Sequence, residues 1–316
     1  MEAHPQLSVL VVNYNTRDLL LECITSVFES TPLINVEVVV VDNASSDGSY
    51  EAVRKAFPQV TAIANATNRG FGPACNQAIS LASSPFLLLL NSDARLTPQA
   101  FVALRQCLSR NPRCGAAGCG MIDAQGRELT NAWNFLTPFN QALEMLSLTQ
   151  RLKSRHFRRT HVPTIDRDFL DCSVDWIDAS CLMLRRTALQ EVGLFDEQFF
   201  MYSEDEDLCF RLRKAGWSIC FTAAGSAVHQ GGASTTQKRG EMLVHFYASQ
   251  MRLLLKHRGQ ASFHVYGAAM KLVLGAKGRS YTIFSSAIRG QEYADRLFAF
   301  ERAYSSVQQA RKALSS

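Results

Sequence analysis

Four short apolar runs, Leu7–Val12, Val36–Val41, Val60–Ala64 and Phe86–Leu90, constrain this chain more than any other feature. Each is apolar at consecutive positions rather than alternate ones. Each is followed by a segment of helical spacing: RDLLLECITSVFES, SDGSYEAVRKAF, PACNQAISLA and PQAFVALRQCL in turn. Strands that are apolar on both faces must be covered on both, which is the condition met by a parallel sheet between two layers of helices. The spacing predicts a nucleotide-binding half-domain over residues 1–110. Thr16 stands where the cap of the first helix is expected.

The rest is less regular. Cys114–Ile122 reads as a strand rich in Gly and Ala, Val174–Arg185 as one long strand, and Ser218–Thr222 and Ala227–His229 as two short ones. Glu204–Ala215 reads as an amphipathic helix, with Leu208 and Leu212 one turn apart. Residues 131–170 look loop-rich and carry the basic cluster RLKSRHFRR at 151–159. From Glu241 onward the pattern is helical. The expected division is a domain over 1–237, with halves 1–110 and 111–237, and a helical extension over 238–316.

Charge follows that division. Residues 1–237 hold 20 Lys or Arg against 24 Asp or Glu; residues 238–316 hold 13 against 4. An acidic body with a basic tail fits a tail that faces an anionic surface, and equally a solvated helical face. The apolar tail residues Phe263, Val265, Leu272 and Leu274 suggest peripheral contact with the inner face of a membrane, or alternatively a homodimer interface. At 316 residues and 47% hydrophobic, the chain can bury a full core. No apolar run reaches the roughly 18 residues a membrane span needs, and the N-terminus lacks the features of a signal peptide. The nine cysteines form no CxxC pair and read as reduced core thiols, which points to the cytoplasm.

In an open parallel sheet, ligands bind beyond the carboxyl ends of the strands. Here those ends read Asn13-Tyr14-Asn15, Asp42-Asn43-Ala44-Ser45-Ser46-Asp47, Asn68-Arg69-Gly70-Phe71-Gly72 and Asn91-Ser92-Asp93. Four polar ends on one edge make a site. Neither GxGxxG nor GxxxxGK[ST] is present, which excludes a dinucleotide fingerprint and a P-loop. Phosphates must then be held by other means, and a divalent Mg²⁺ or Mn²⁺ on Asp93 is the natural one.

The ordered series VVNYN, VVVVDNASSDGS, NRGFGPACNQAI, LLLLNSDARL, GLFDEQFFMYSEDEDLCFRLRKAGW and VHQGGAS closely resembles the family 2 inverting glycosyltransferases of GT-A fold, in their rhamnosyltransferase-like branch. The match covers about residues 7–235. The resemblance implies a nucleotide-sugar donor, with rhamnose from dTDP-rhamnose as the donor of that branch. It implies a saccharide or lipid-linked saccharide acceptor, surface-polysaccharide synthesis, and no nucleic-acid partner. Tyr14 and Asp42 then fall where the family contacts the nucleobase. Asn43, Asn68, Gly70, Asn76, Asn91 and Ser92 fall in the donor site. Asn43, Ser45 and Asp47 also read as simple turn and cap formers.

Asp93 matches the last residue of the family's DxD metal element, with Asn91 in place of its first Asp, and His229 matches a His that reaches the metal or diphosphate. Ala179-Ser180 replaces the family's usual Gly-Ala. Glu204, Trp176 and Asp178 are expected near the acceptor.

Asp205, within the ED motif, matches the general base that takes the acceptor's proton. The helix N-terminus and a nearby metal are expected to keep it ionised, and Asp207 is expected to cap the helix or pair with Arg211 at i+4. Two rival readings share the architecture. A sugar nucleotidyltransferase would carry a Gly-rich, basic signature after the first strand, and NYNTRDLL lacks it. A non-catalytic sugar-nucleotide-binding subunit would not need Asp93, Asp205 and His229 together.

Overall fold

The computed structural model describes residues 4–145, 171–230, 239–284 and 287–315. In chain order these form β1 (Leu7–Asn13), α1 (Arg17–Ser30), β2 (Val36–Asp42), α2 (Ser49–Ala56), β3 (Thr61–Ala64), α3 (Phe71–Leu81), β4 (Phe86–Leu90), β5 (Ala94–Arg95), α4 (Pro98–Arg110) and β6 (Cys114–Ile122). Then follow β7 (Glu128–Leu129), β8 (Ala132–Trp133), α5 (Pro138–Met145), β9 (Asp171–Ser173), β10 (Trp176–Ile177), β11 (Cys181–Arg185), α6 (Arg186–Val192), α7 (Glu204–Lys214), β12 (Ser218–His229), α8 (Arg239–Phe284) and α9 (Ala287–Ser315). The chain separates into two compact units. One takes Met1–Trp133, Thr160–Phe200 and Glu204–Ser234, and the other Asn134–Arg159, Met201–Ser203 and Thr235–Ser316.

The first unit is built on one sheet of order β3-β2-β1-β4-β11-β6-β12-β5. β3, β2, β1 and β4 run parallel, as their apolar runs require. β11 runs antiparallel between β4 and β6, and β12 returns parallel to β6. Strand order reverses between β1 and β4, the position at which open α/β sheets leave a crevice for ligand. Alternation along the strands sorts the apolar residues to two faces. Val9, Val11, Val38, Val40, Leu88 and Leu90 pack with Leu20, Ile24 and Val27 of α1 and Leu104 of α4. Leu10, Val39, Val41, Leu87 and Leu89, equally buried, point the other way.

Three expectations need correction. Val174–Arg185 is not one strand. It breaks at Asp178, whose carboxylate turns back to accept Ser180 N–H (3.2 Å) and the Ser180 hydroxyl, an Asx turn that takes the backbone out of the ladder. Ser218–His229, conversely, is one strand, with a register shift between Thr222 and Ser226. Thr16 does not cap α1. Its hydroxyl donates to Asn13 Oδ1 (2.6 Å) and meets Ser92 Oγ (2.8 Å), while Asp47 Oδ2 accepts Arg17 N–H at the helix start (2.9 Å). The cluster RLKSRHFRR lies outside the described residues. All nine cysteines are free thiols and eight are buried.

The second unit is helical. α5, which the sequence analysis left as loop, begins with a reciprocal cap: Asn140 N–H donates to Thr137 Oγ1 (3.0 Å) and Thr137 N–H to Asn140 Oδ1 (2.8 Å), with Pro138 between them. α8 is broken at Gly259, where φ is 78°. Both of its parts pack on α9 through aromatic rings. Phe263 stacks on Tyr304 at 4.9 Å, and Phe300 meets Tyr247 at 5.3 Å. Gly267 admits that contact, since a Cβ there would lie 2.4 Å from the Tyr304 ring. Of the four apolar tail residues expected at a surface, Phe263 and Leu274 are therefore core of this helix pair, while Val265 and Leu272 are exposed. No helix among the described residues is long and apolar enough to cross a membrane.

Candidate active site

The carboxyl ends of β1, β2 and β4 are tied into one polar network. Asn13 donates to Asp42 Oδ1 (2.8 Å) and Ser45 Oγ (3.0 Å), and Asp42 Oδ2 accepts Ser45 N–H (2.9 Å). An Asp after four valines has more buried partners than its sequence context suggested. Both oxygens of Asp42 are engaged, and each can accept a further hydrogen bond. Tyr14 is half-buried at the same strand end.

Among the described residues the non-glycine residues with positive φ are Asn15, Ala44, Tyr202 and Ser203. The first two follow β1 and β2, and the last two directly precede α7. Such backbone costs on the order of 1 kcal/mol per residue and persists where the surroundings enforce it, commonly at functional sites.

Two expected donor-site residues prove to be ties. Asn43 donates to Asn68 Oδ1 (2.9 Å) and Gly70 O (3.1 Å), and its Oδ1 accepts from Asn65 Nδ2 and Arg69 N–H (both 3.0 Å). With every polar position of its side chain used, Asn43 shapes the 65–70 loop. Asn76 clasps Phe195 through both backbone polar groups and reaches Glu197 Oε1 at 3.0 Å, so it holds the 195–197 segment. Asn68 accepts from Gly70 N–H (2.9 Å) and stands within the loop it closes.

Gly70 has φ 91°, and a Cβ on it would lie 2.2 Å from Phe200 O. Phe71 N–H donates to that same carbonyl at 2.8 Å. Gly48 has φ 79° with open space where a Cβ would go. Gly48→Ala therefore reports backbone strain alone, about 1 kcal/mol, whereas Gly70→Ala adds a backbone clash and should cost more than about 3 kcal/mol. Urea unfolding of the two variants checks this; equal losses would contradict it.

At the end of β4, Asn91, Ser92 and Asp93 face the end of β12. Asp93 Oδ1 and His229 Nε2 are 3.0 Å apart, and Asn91 Nδ2 lies 3.5 Å from the same nitrogen. Burial alone would lower the His229 pKa, but the hydrogen bond and charge of Asp93, with Asp178 behind it, hold it above the ordinary imidazole value. A carboxylate and an imidazole brought together from two strands fit Mg²⁺ or Mn²⁺, which keep the remaining positions for phosphate oxygens or water. Among the described residues one group gathers three Cys, His, Asp or Glu ligand atoms: Cys107, Cys114 and Cys220. It belongs to the apolar core cluster.

Asp205 begins the other wall. Its Oδ1 accepts Glu206 N–H (2.8 Å) and its Oδ2 accepts Ala179 N–H (3.2 Å). One residue on, Ser180 O accepts Asn91 N–H at 3.0 Å. The 178–180 turn thus bridges Asp205 to the Asn91–Asp93 edge. Burial, then the charge of Asp178, push the Asp205 carboxyl up to about 7, against two backbone hydrogen bonds that lower it. Desolvation and neighbouring carboxylates outweigh the helix terminus, one of the two effects expected to keep Asp205 ionised; the charge of a metal is the other. Burial likewise raises Asp178, partly offset by Ser180.

The remaining carboxylates divide clearly. Asp207 pairs with Arg211 at i+4 (2.9 Å), as expected, and Arg211 also donates to Val192 O, Gly193 O and Leu194 O. Glu204 is 4% exposed, and its Oε2 has no hydrogen-bond partner. Burial and the Asp205 charge raise it well above the usual carboxylate range. It packs behind Gly72. Trp176 is also mostly covered, stacked at 5.8 Å on Trp133. Trp133 is the half-exposed member of that pair, and the sequence analysis missed it because its neighbours carry no motif.

Residues 4–252 match the glycosyltransferase like family 2. The chain belongs to that family. It is a glycosyltransferase, and its sheet is that of the GT-A fold. An N-acetylglucosaminyl-diphospho-decaprenol L-rhamnosyltransferase of Mycobacterium tuberculosis is 30% identical over 214 residues, 63% of this chain and 68% of that one. The O-antigen biosynthesis protein RfbC of Myxococcus xanthus is 25% identical over 73% of this glycosyltransferase and 18% of its own length. Among solved structures, the mannosyltransferase PcManGT of Pyrobaculum calidifontis, in complex with GDP-Man and Mn²⁺, superposes with a TM-score of 0.54 at 17% identity, over 96% of this chain and 87% of that one.

Proposed function

We propose that this glycosyltransferase is an inverting, divalent-metal-dependent enzyme that transfers L-rhamnose from dTDP-rhamnose to a lipid-linked saccharide in surface-polysaccharide synthesis. The rhamnosyl donor and lipid-linked acceptor are supported by the relative in Mycobacterium tuberculosis, and a metal by the Mn²⁺ of the mannosyltransferase that shares the fold. In this reading residues 1–237 are the catalytic domain, with the acceptor bound by 111–237, and 238–316 are an extension to it.

Tyr14 packs on the nucleobase and Asp42 accepts one of its N–H groups. Asp93 and His229 hold the cation, with Asn91 and Ser92 beside the diphosphate. When bound, the cation offsets negative charge on the leaving diphosphate. Asp205 takes the proton from the acceptor hydroxyl. As it does so, that oxygen bonds to the anomeric carbon opposite the breaking bond to phosphate, and the configuration inverts. Trp133 offers an apolar face to the acceptor sugar.

The observation that carries this reading is the 178–180 turn, which links the base to the Asp93–His229 pair through two backbone hydrogen bonds. The test is a panel of nucleotide sugars incubated with a polyprenyl-diphosphate saccharide, scored by released nucleoside diphosphate. Release from dTDP-rhamnose at least about tenfold above other donors is expected. Preference for another nucleotide sugar would overturn the donor while leaving the mechanism standing.

A further inference from the structure

Residues 242–291 contain no Asp or Glu, yet hold seven Lys or Arg. The second part of α8 lies within this stretch. One side of it buries Phe263, Tyr266, Met270, Val273 and Leu274. Its other side exposes Gln260, His264, Lys271, Arg279 and Ser280, but also a run of apolar residues that a helix face turned to water does not need. Ala261, Val265, Ala268, Leu272 and Ala276 are all exposed there and recur every three or four residues, so they form one stripe. Val265 is 58% exposed and Leu272 73%. The charged residues beside the stripe, Lys271 and Arg279, are cations, and both are exposed; Lys271 also lies over the Tyr304 ring at 4.9 Å.

We propose that this stripe is a docking surface for an anionic lipid bilayer, with Val265 and Leu272 entering the headgroup boundary and Lys271 and Arg279 meeting lipid phosphates. Shallow apolar burial combined with attraction to anionic headgroups is how an interfacial helix binds without spanning.

A second copy of the chain is the other conceivable cover, and charge disfavours it. A two-fold interface brings the same patch onto itself. It would set these cations against their own copies, with no acidic residue in the surrounding fifty to answer them. The exposed apolar residues of α9, Ile288 and Phe298, differ in this respect. They line a groove shared with Glu292 and Asp295, so the charge there is mixed and no docking is assigned to them. The inference does not depend on the donor or acceptor proposed above, although a lipid-linked acceptor would give docking a use.

The test is flotation of the full chain with vesicles of phosphatidylglycerol and phosphatidylcholine, or of phosphatidylcholine alone. Binding to the anionic vesicles is expected at low salt, with at least a fivefold loss at about 0.5 M salt, and none to phosphatidylcholine. Leu272→Glu combined with Val265→Glu should lower binding at least tenfold, with circular dichroism and melting unchanged. Phe298→Glu should leave binding intact. Equal binding to both lipids, no binding at low salt, or a solution dimer that dissociates on Leu272→Glu would overturn the proposal. Loss of binding with Phe298→Glu alone would also overturn it.

Discussion

Asp205→Asn is expected to lower turnover about 10²-fold or more while leaving nucleotide-sugar affinity within about twofold. Asn keeps the size and one oxygen acceptor of Asp205, so the hydrogen bonds from Glu206 N–H and Ala179 N–H can be kept in part. What is lost is the ability to take a proton. The same substitution should stabilise the fold. A carboxyl whose folded pKa is raised to about 7 binds its proton more tightly folded than unfolded. Stability therefore falls as pH climbs from the ordinary carboxylate range to about 7, and above that the full cost of the buried charge is present. Removing the charge should raise the melting temperature of the variant at pH 8, by less than the full cost of the buried charge, because the Asn amide group loses one of the two N–H donors. A variant that is both inactive and less stable would mean that Asp205 is a structural ion, not a base held under strain.

Asp93→Ala should have a comparable or larger effect, about 10³-fold on turnover, because it removes the carboxylate of the proposed cation site. Chelation of the wild-type protein should do the same, with Mn²⁺ or Mg²⁺ restoring the rate. Activity alone does not separate a lost ligand from a distorted site. Mn²⁺ binding in the presence of nucleoside diphosphate, followed by electron paramagnetic resonance, does. It should be lost in Asp93→Ala, weakened in His229→Ala and kept in Asp205→Asn. Full transfer in excess chelator by a protein free of metal would contradict the cation's role.

The first half of the fold was legible because β1, β2 and β4 sit inside the sheet and show it as unbroken Val and Leu runs. Their polar ends are conspicuous against those runs, which is why the edge holding Asp42 and Asp93 could be read directly. The second half follows other rules. The 176–185 segment is apolar throughout, and only a side chain folding back at Asp178 breaks it, a local hydrogen bond that periodicity does not reveal. Hydrogen-bond saturation is equally hidden. Asn43 and Asn76 occupy donor-site positions in sequence, yet their amides are spent on the 65–70 loop and on Phe195 and Glu197. Within the acidic run 204–207, helical geometry correctly assigned Asp207 to Arg211. The inward burial of Glu204 depends on α3 and Gly72, which are distant in sequence. The stack of Trp133 on Trp176 pairs residues that no spacing in the sequence connects.

The central claim is that Asp205 acts as the base at this site, and the pH dependence of kcat/KM tests it most directly. With saturating metal, kcat/KM for sugar transfer should rise with unit slope through an apparent pKa at or below about 7, which the cation's charge lowers, and then level off, since the base works only when deprotonated. Asp205→Asn should remove that inflection and leave a flat, low profile. An inflection that survives unchanged in Asp205→Asn would show that the proton goes elsewhere and would contradict the account.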